Sequence, residues 1–184
     1  TFYYNGTANL GANGSLINGA NSAVLLDTSS NITGTGSNIV GAVLNGQYTG
    51  TAPAGFTSAV DGENRGSIVL GDNSAGLYGT NGAKLLNKGT INVGNASIGM
   101  SGKGTGSSLT NDGNITLGAG SEGIYGNEST SIINAGNITG ISASGTGIYA
   151  ESTSAMLINN SGIIDMQGND SRGIYVKGRG IKTI

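Results

Sequence analysis

Two groups of side chains in this sequence have the types and spacing to act on another molecule. The first is a set of tyrosines, Tyr78, Tyr125, Tyr149 and Tyr175, each preceded by a glycine and an apolar residue, as in Gly123-Ile124-Tyr125. Residues of a strand alternate between its two faces. If Ile124 faces a core, Tyr125 faces solvent, and the other three follow. In register they make a vertical stripe of rings, interrupted by Ser101 where the sequence reads Gly-Met-Ser. Such rings can stack on one another, stack on sugar rings or anchor a protein partner. A purely structural role is the alternative, since cross-strand aromatic contacts contribute roughly a few tenths of a kcal/mol each. The second group is Tyr48 and Phe56, on either side of the sole proline, Pro53. Residues 46–58 read as a loop thrown out from the main body. It serves either as a binding loop on a rigid scaffold or as a lid packing Phe56 over a thinly covered core.

Catalysis finds less support. Hydrolysis of a glycosidic bond requires two carboxylates clustered on one face. A polysaccharide lyase requires a base such as Lys or Arg and a charge-neutralising cation. The acids are Asp27, Asp61, Glu63, Asp72, Asp112, Glu122, Glu128, Glu151, Asp165 and Asp170. They fall at different turn positions, so nothing stacks into a carboxylate site, and isolated acids of this kind are expected to be solvated. Histidine is absent, which removes the commonest general base. We therefore expect no enzyme and no catalytic residue.

Metal, cofactor and nucleic-acid signals are equally thin. Calcium-binding Gly-Gly-x-Gly-x-Asp repeats are missing, and Gly71-Asp72-Asn73 is a single acidic turn. Gly102-Lys103-Gly104-Thr105-Gly106 contains Gly-x-Gly but opens no helix, so it predicts no phosphate loop. Neither a metal nor a small-molecule cofactor is expected. The net charge of −2 supplies no basic stripe for phosphate, so no nucleic acid is expected either. Arg172, Lys177, Arg179 and Lys182 are four of the eight cations. They could meet an acidic partner, or simply solubilise a turn. There is no cysteine, hence no disulfide framework.

What must position these residues is a repeat. Asn-x-Gly-x-Ile recurs with Asn64, Asn87, Asn111, Asn134 and Asn160, at intervals of 23, 24, 23 and 26 residues. A fixed period of this size signals a stacked architecture. Each copy holds three apolar sites. The first is Ile68, Ile91, Ile115, Ile138 and Ile164; the second is Leu77, Met100, Ile124, Ile148 and Ile174; the third is Leu85, Leu109, Ile132 and Ile158. The stretches around them are too short for helices and are broken by Gly, Asn, Ser and Thr, so they read as strands. Three short strands per coil of about 23–26 residues predict an all-β, right-handed parallel β-helix, a β-solenoid, with strands roughly 4.8 Å apart. The repeated Asn should sit at a bend and bond its copies above and below. The Gly two residues on should supply a positive φ.

Residues 61–184 carry the regular repeats. Residues 1–60 hold one charge, Asp27, and decayed copies, with strand-like pieces at 15–18, 23–26 and 38–44. We read 1–184 as a single β-helix segment of about eight coils, cut from a longer protein. No segment approaches the roughly 20 apolar residues of a membrane-crossing helix, and the alternation of an outer-membrane barrel is missing. Any membrane contact is therefore expected through an anchor outside this segment.

Asn111-Asp-Gly-Asn-Ile115 followed by Gly123-Ile124-Tyr125 resembles the passenger domains of type V (classical) autotransporters of Gram-negative bacteria, most of all the very large adhesin-type passengers. The resemblance is close over about 60–184 and looser over 1–60. It implies display at the cell surface, outside the outer membrane, and adhesion to a host or bacterial surface protein or glycan. Two other readings stand beside it: a passive spacer within a larger surface protein, and a β-helix acting on polysaccharide.

Overall fold

A computed structural model describes residues 1–128, 130–180 and 182–184, and for Lys182 the backbone alone. The described residues contain strands and turns and no helix. The strands assemble into three sheets of 8, 7 and 7, every described pairing being parallel. One coil takes one strand from each sheet, as Ser108–Asn111, Asn114–Leu117 and Glu122–Asn127 show. This is a parallel β-solenoid with three strands per coil, as the repeat predicts. Seven coils are complete and Lys182–Thr183 begins an eighth. The expected eight fall to seven because the chain leaves the coil for residues 46–61, between strands Val40–Asn45 and Gly62–Asn64.

The period of the sequence becomes the core through register. Ile32, Ile68, Ile91, Ile115, Ile138 and Ile164 lie directly over one another. Leu77, Met100, Ile124, Ile148 and Ile174 form a second column, and Leu85, Leu109, Ile132 and Ile158 a third. Ile68, Ile91, Ile138 and Ile148 are fully buried. Each such side chain stabilises the coil by about 1.5–3 kcal/mol. Only the uppermost members, Ile164 and Ile174, are partly buried.

The repeated asparagines form the expected ladder. The Asn64 amide donates to Asn87 Oδ1 at 2.8 Å, Asn87 to Asn111 at 2.8 Å, Asn111 to Asn134 at 2.8 Å, and Asn134 to Asn160 at 2.7 Å. Each sits at the end of its strand, where two residues turn the chain into the next sheet. Below Asn64 the ladder stops, because Leu26 occupies its register position. That replacement is why the repeat fades from the first 60 residues although the fold does not.

The following glycines are needed for a different reason from the one expected. Gly66, Gly89, Gly113, Gly136 and Gly162 are not among the positive-φ residues. Instead the backbone passes so close to the coil before it that a Cβ on Gly113 would strike the Gly89 carbonyl, and one on Gly136 the Gly113 carbonyl. Outside the excursion, the left-handed residues lie at the other two corners. Asn13, Asn38, Asn73, Ala96, Gly120, Ser144 and Asp170 precede the third sheet, and Asn21, Gly46, Asn81, Gly104 and Glu128 follow it. Asn tolerates this conformation better than other non-glycine residues, which accounts for five of the 22 asparagines.

Candidate binding face

The third sheet carries the tyrosines. From Val40–Asn45 onward its strands bend so that a glycine and the next residue both turn inward, as Gly99 against Ile115 and the buried Met100 show. Three outward columns result. Ala75, Ile98, Glu122, Thr146 and Arg172 form the first; Tyr78, Ser101, Tyr125, Tyr149 and Tyr175 the second; Thr80, Lys103, Asn127, Glu151 and Lys177 the third. The stripe is thus a structural fact, with Ser101 in the interrupted rung. Tyr125 and Tyr149 lie 5.2 Å apart between centroids, tilted by 59°, and Tyr149 and Tyr175 lie 5.0 Å apart, tilted by 49°. These are favoured aromatic separations. Tyr78 has no ring above it, since its neighbour there is Ser101.

Charges on the flanking columns hold the rings. Glu151 accepts from the Tyr149 hydroxyl at 3.4 Å and the Tyr125 hydroxyl at 3.5 Å, and pairs with Lys177 at 3.0 Å. The Lys177 bond is the main reason the Glu151 carboxyl titrates below its ordinary value. Burial, then the Glu151 charge, pushes the Tyr149 phenol up. Asn127 donates to the Tyr125 hydroxyl at 2.8 Å, and the Arg172 guanidinium lies 5.4 Å from the Tyr175 ring centroid, a cation–π distance. Arg172 and Lys177, two members of the basic end, therefore belong to the tyrosine face. The Lys182 side chain lies outside the described residues.

Glu122 is half-buried, in register between Ile98 and Thr146, and burial raises its pKa. Among the described residues no three His, Cys, Asp or Glu side chains gather where they could hold a metal ion.

The other candidates, Tyr48 and Phe56, are half-buried in the excursion 46–61. Here the expectation of solvated acids fails. Asp61 is 4% exposed and Glu63 2%. Asp61 accepts from the Tyr48 amide at 2.6 Å and the Lys84 amide at 2.7 Å. Glu63 accepts from the Thr57 amide at 3.3 Å and pairs with Arg65 at 2.7 Å and Lys88 at 3.5 Å. Arg65 in turn donates to the Gly55 carbonyl at 2.8 Å. These bonds tie the excursion to the first sheet. Glu63 occupies an outward rung between Leu25 and Leu86, and both leucines are buried without belonging to the central core. Segment 55–57 is bonded to Glu63 and Arg65 at that rung.

Sequence reading also missed a serine ladder. The Ser74 amide donates to Ser97 Oγ and the Ser97 amide to Ser121 Oγ, each at 3.0 Å. The signal was present, since Ser74, Ser97 and Ser121 share the 23- and 24-residue spacing of the asparagines.

Beside Tyr78 a groove of about 330 Å³ opens, lined among others by Asn73, Ala96, Ile98 and Ser101. No curated protein and no solved structure gives a significant match to the chain. Residues 3–124, the irregular first coils included, match the family model of the BigA third pectate lyase-like domain.

Proposed function

The chain belongs to the BigA third pectate lyase-like domain family, a bacterial surface-protein domain, and from that premise we propose that it is a non-catalytic adhesin segment displayed at the cell surface. One observation carries the reading: the in-register stack of Tyr125, Tyr149 and Tyr175 on an outward sheet face. Side-by-side rings pinned by Glu151, Lys177 and Arg172 are pre-organised, so little side-chain freedom is lost when a partner lands on them. Aromatic residues with Arg at the rim are the composition of binding hot spots. The partner is a protein or glycan on a host or bacterial surface.

The non-catalytic part rests on how the acids are used. Asp61 and Glu63 are occupied in holding the excursion, and the register neighbours of Glu122, Ile98 and Thr146, are not carboxylates. A passive spacer is the second reading, favoured by the buried asparagine ladder, which stiffens the rod whatever the surface does.

The test is direct binding of the labelled chain to host epithelial cells and to other bacteria. It is run beside Tyr125→Ser/Tyr149→Ser, which copies the natural Ser101 rung. Saturable binding that the double variant loses while its β-sheet circular dichroism is retained supports adhesion through the stripe. No binding by the parent chain leaves the spacer.

A further inference from the structure

The tyrosine face is broken in one coil, and the break is a hollow rather than a filled gap. Two positions in that coil are smaller than their counterparts in the coil below. Ser101 stands where Tyr78 and Tyr125 stand in adjacent coils, and at the left-handed corner Ala96 follows Asn73. Together these truncations open the groove of about 330 Å³, which is the low end of the roughly 300–1,000 Å³ of ligand pockets.

The lining has a definite chemistry. Where the stripe is continuous each ring is covered by the next, but no ring covers Tyr78. Val40, Ala75 and Ile98 form an apolar wall. Ser101 is 4% exposed and faces the hollow. The Ser101 hydroxyl, the Asn73 side-chain amide and the Tyr78 hydroxyl make no hydrogen bond to other described residues, so their donors and acceptors remain available to a ligand. No lining residue is charged, and the next rung above Ile98 is the acid Glu122.

We infer that this hollow is a subsite for one neutral hexopyranose ring of a surface glycan. An uncovered aromatic face takes the C–H face of the sugar, while the free serine and asparagine groups bond its hydroxyls. A nucleotide or phosphate would find no cation, and a uronate would meet Glu122. The inference deepens the adhesin reading and rests on it for the biological source of the glycan.

The test uses the ¹⁵N-labelled chain and three probes: methyl β-galactopyranoside, methyl α-glucopyranoside and methyl α-mannopyranoside, with galacturonate as the charged comparison. At least one neutral glycoside should shift amides at 38–40, 73–78 and 96–101 and receive saturation transfer from Tyr78 ring protons. Ser101→Tyr, which fills the hollow with the residue of its neighbouring rungs, should abolish both effects. Tyr78→Val, which copies Val43 directly beneath, should weaken binding about tenfold or more, the size of losing an anchoring ring. Shifts absent with every neutral glycoside, unchanged in both variants, or stronger with galacturonate would overturn the inference. Sugar shifts without cell binding by the parent chain would support the subsite and remove the adhesin reading. Cell binding without sugar shifts would remove the subsite and leave adhesion standing.

Discussion

The Asn87 side chain donates to Asn111 Oδ1 at 2.8 Å, and Asn111 donates onward to Asn134 at the same distance. All three are fully buried. Each interior asparagine is thus both donor and acceptor, whereas Asn64 only donates along the ladder.

Replacing Asn111 by leucine should therefore cost more than replacing Asn160, which ends the ladder and only accepts along it. The interior change leaves Asn87 without its acceptor and Asn134 without its donor, two buried groups at about 1–3 kcal/mol each. Asn160→Leu removes only the acceptor of Asn134, and Asn160 itself is exposed. Urea midpoints of the two variants decide it. Equal losses would mean that the ladder does not act as a chain of dependent bonds.

Glycine substitutions should separate by mechanism. Gly113→Ala drives a Cβ into the Gly89 carbonyl, and overpacking against backbone costs about 1–3 kcal/mol or more. Gly120 has a φ of +63° and open space around its missing Cβ. There Gly120→Asn should cost no more than about 1 kcal/mol, because Asn accepts the left-handed region. Thermal melts of the pair give the order, and a larger loss at Gly120 would overturn it.

Glu63 makes the excursion acid-sensitive. Burial alone would raise its pKa, but the hydrogen bonds from Arg65 and Thr57 and the charges of Arg65 and Lys88 outweigh that and hold it below the ordinary 4.5. Its native value being depressed, its contribution is present above 4.5 and is lost as pH falls from there through the native value. Protease cutting within 46–61 should rise over that interval before the coils melt. In Glu63→Gln the excursion should be cut readily already at neutral pH, with little further change on acidification.

Glu122 has the opposite sign. Burial raises its native pKa, so the ionised form is disfavoured by folding and costs stability above that value. Glu122→Gln should raise the melting temperature at neutral pH, and the advantage should shrink as pH falls and the parent carboxyl protonates. A variant less stable than the parent at neutral pH would show that Glu122 makes a favourable contact instead.

Within the stripe, Tyr149 touches two rings and Tyr125 one. An aromatic pair contributes about 0.5–1.5 kcal/mol beyond area burial, so Tyr149→Ser should destabilise about twice as much as Tyr125→Ser. Equal losses in chemical denaturation would remove any energetic role for the stacking.

The repeat alone determined the solenoid, the three apolar columns, the asparagine ladder and the alignment of Tyr125, Tyr149 and Tyr175. A period near 23 residues admits one register, and register puts like on like. Tertiary structure decided what periodicity cannot carry. Ile32 joins the isoleucine column although its coil lost the asparagine, because burial needs only an apolar side chain at that position. Asp61 and Glu63 look like turn acids in sequence, yet partners from the excursion and from neighbouring strands bury both. The glycines after the asparagines serve close passage between coils rather than a left-handed turn, since the approach of two backbones is a distance in space that one coil's residues do not encode. The hollow at Ser101 likewise exists only once Tyr78, Ala96 and Ile98 are brought around it.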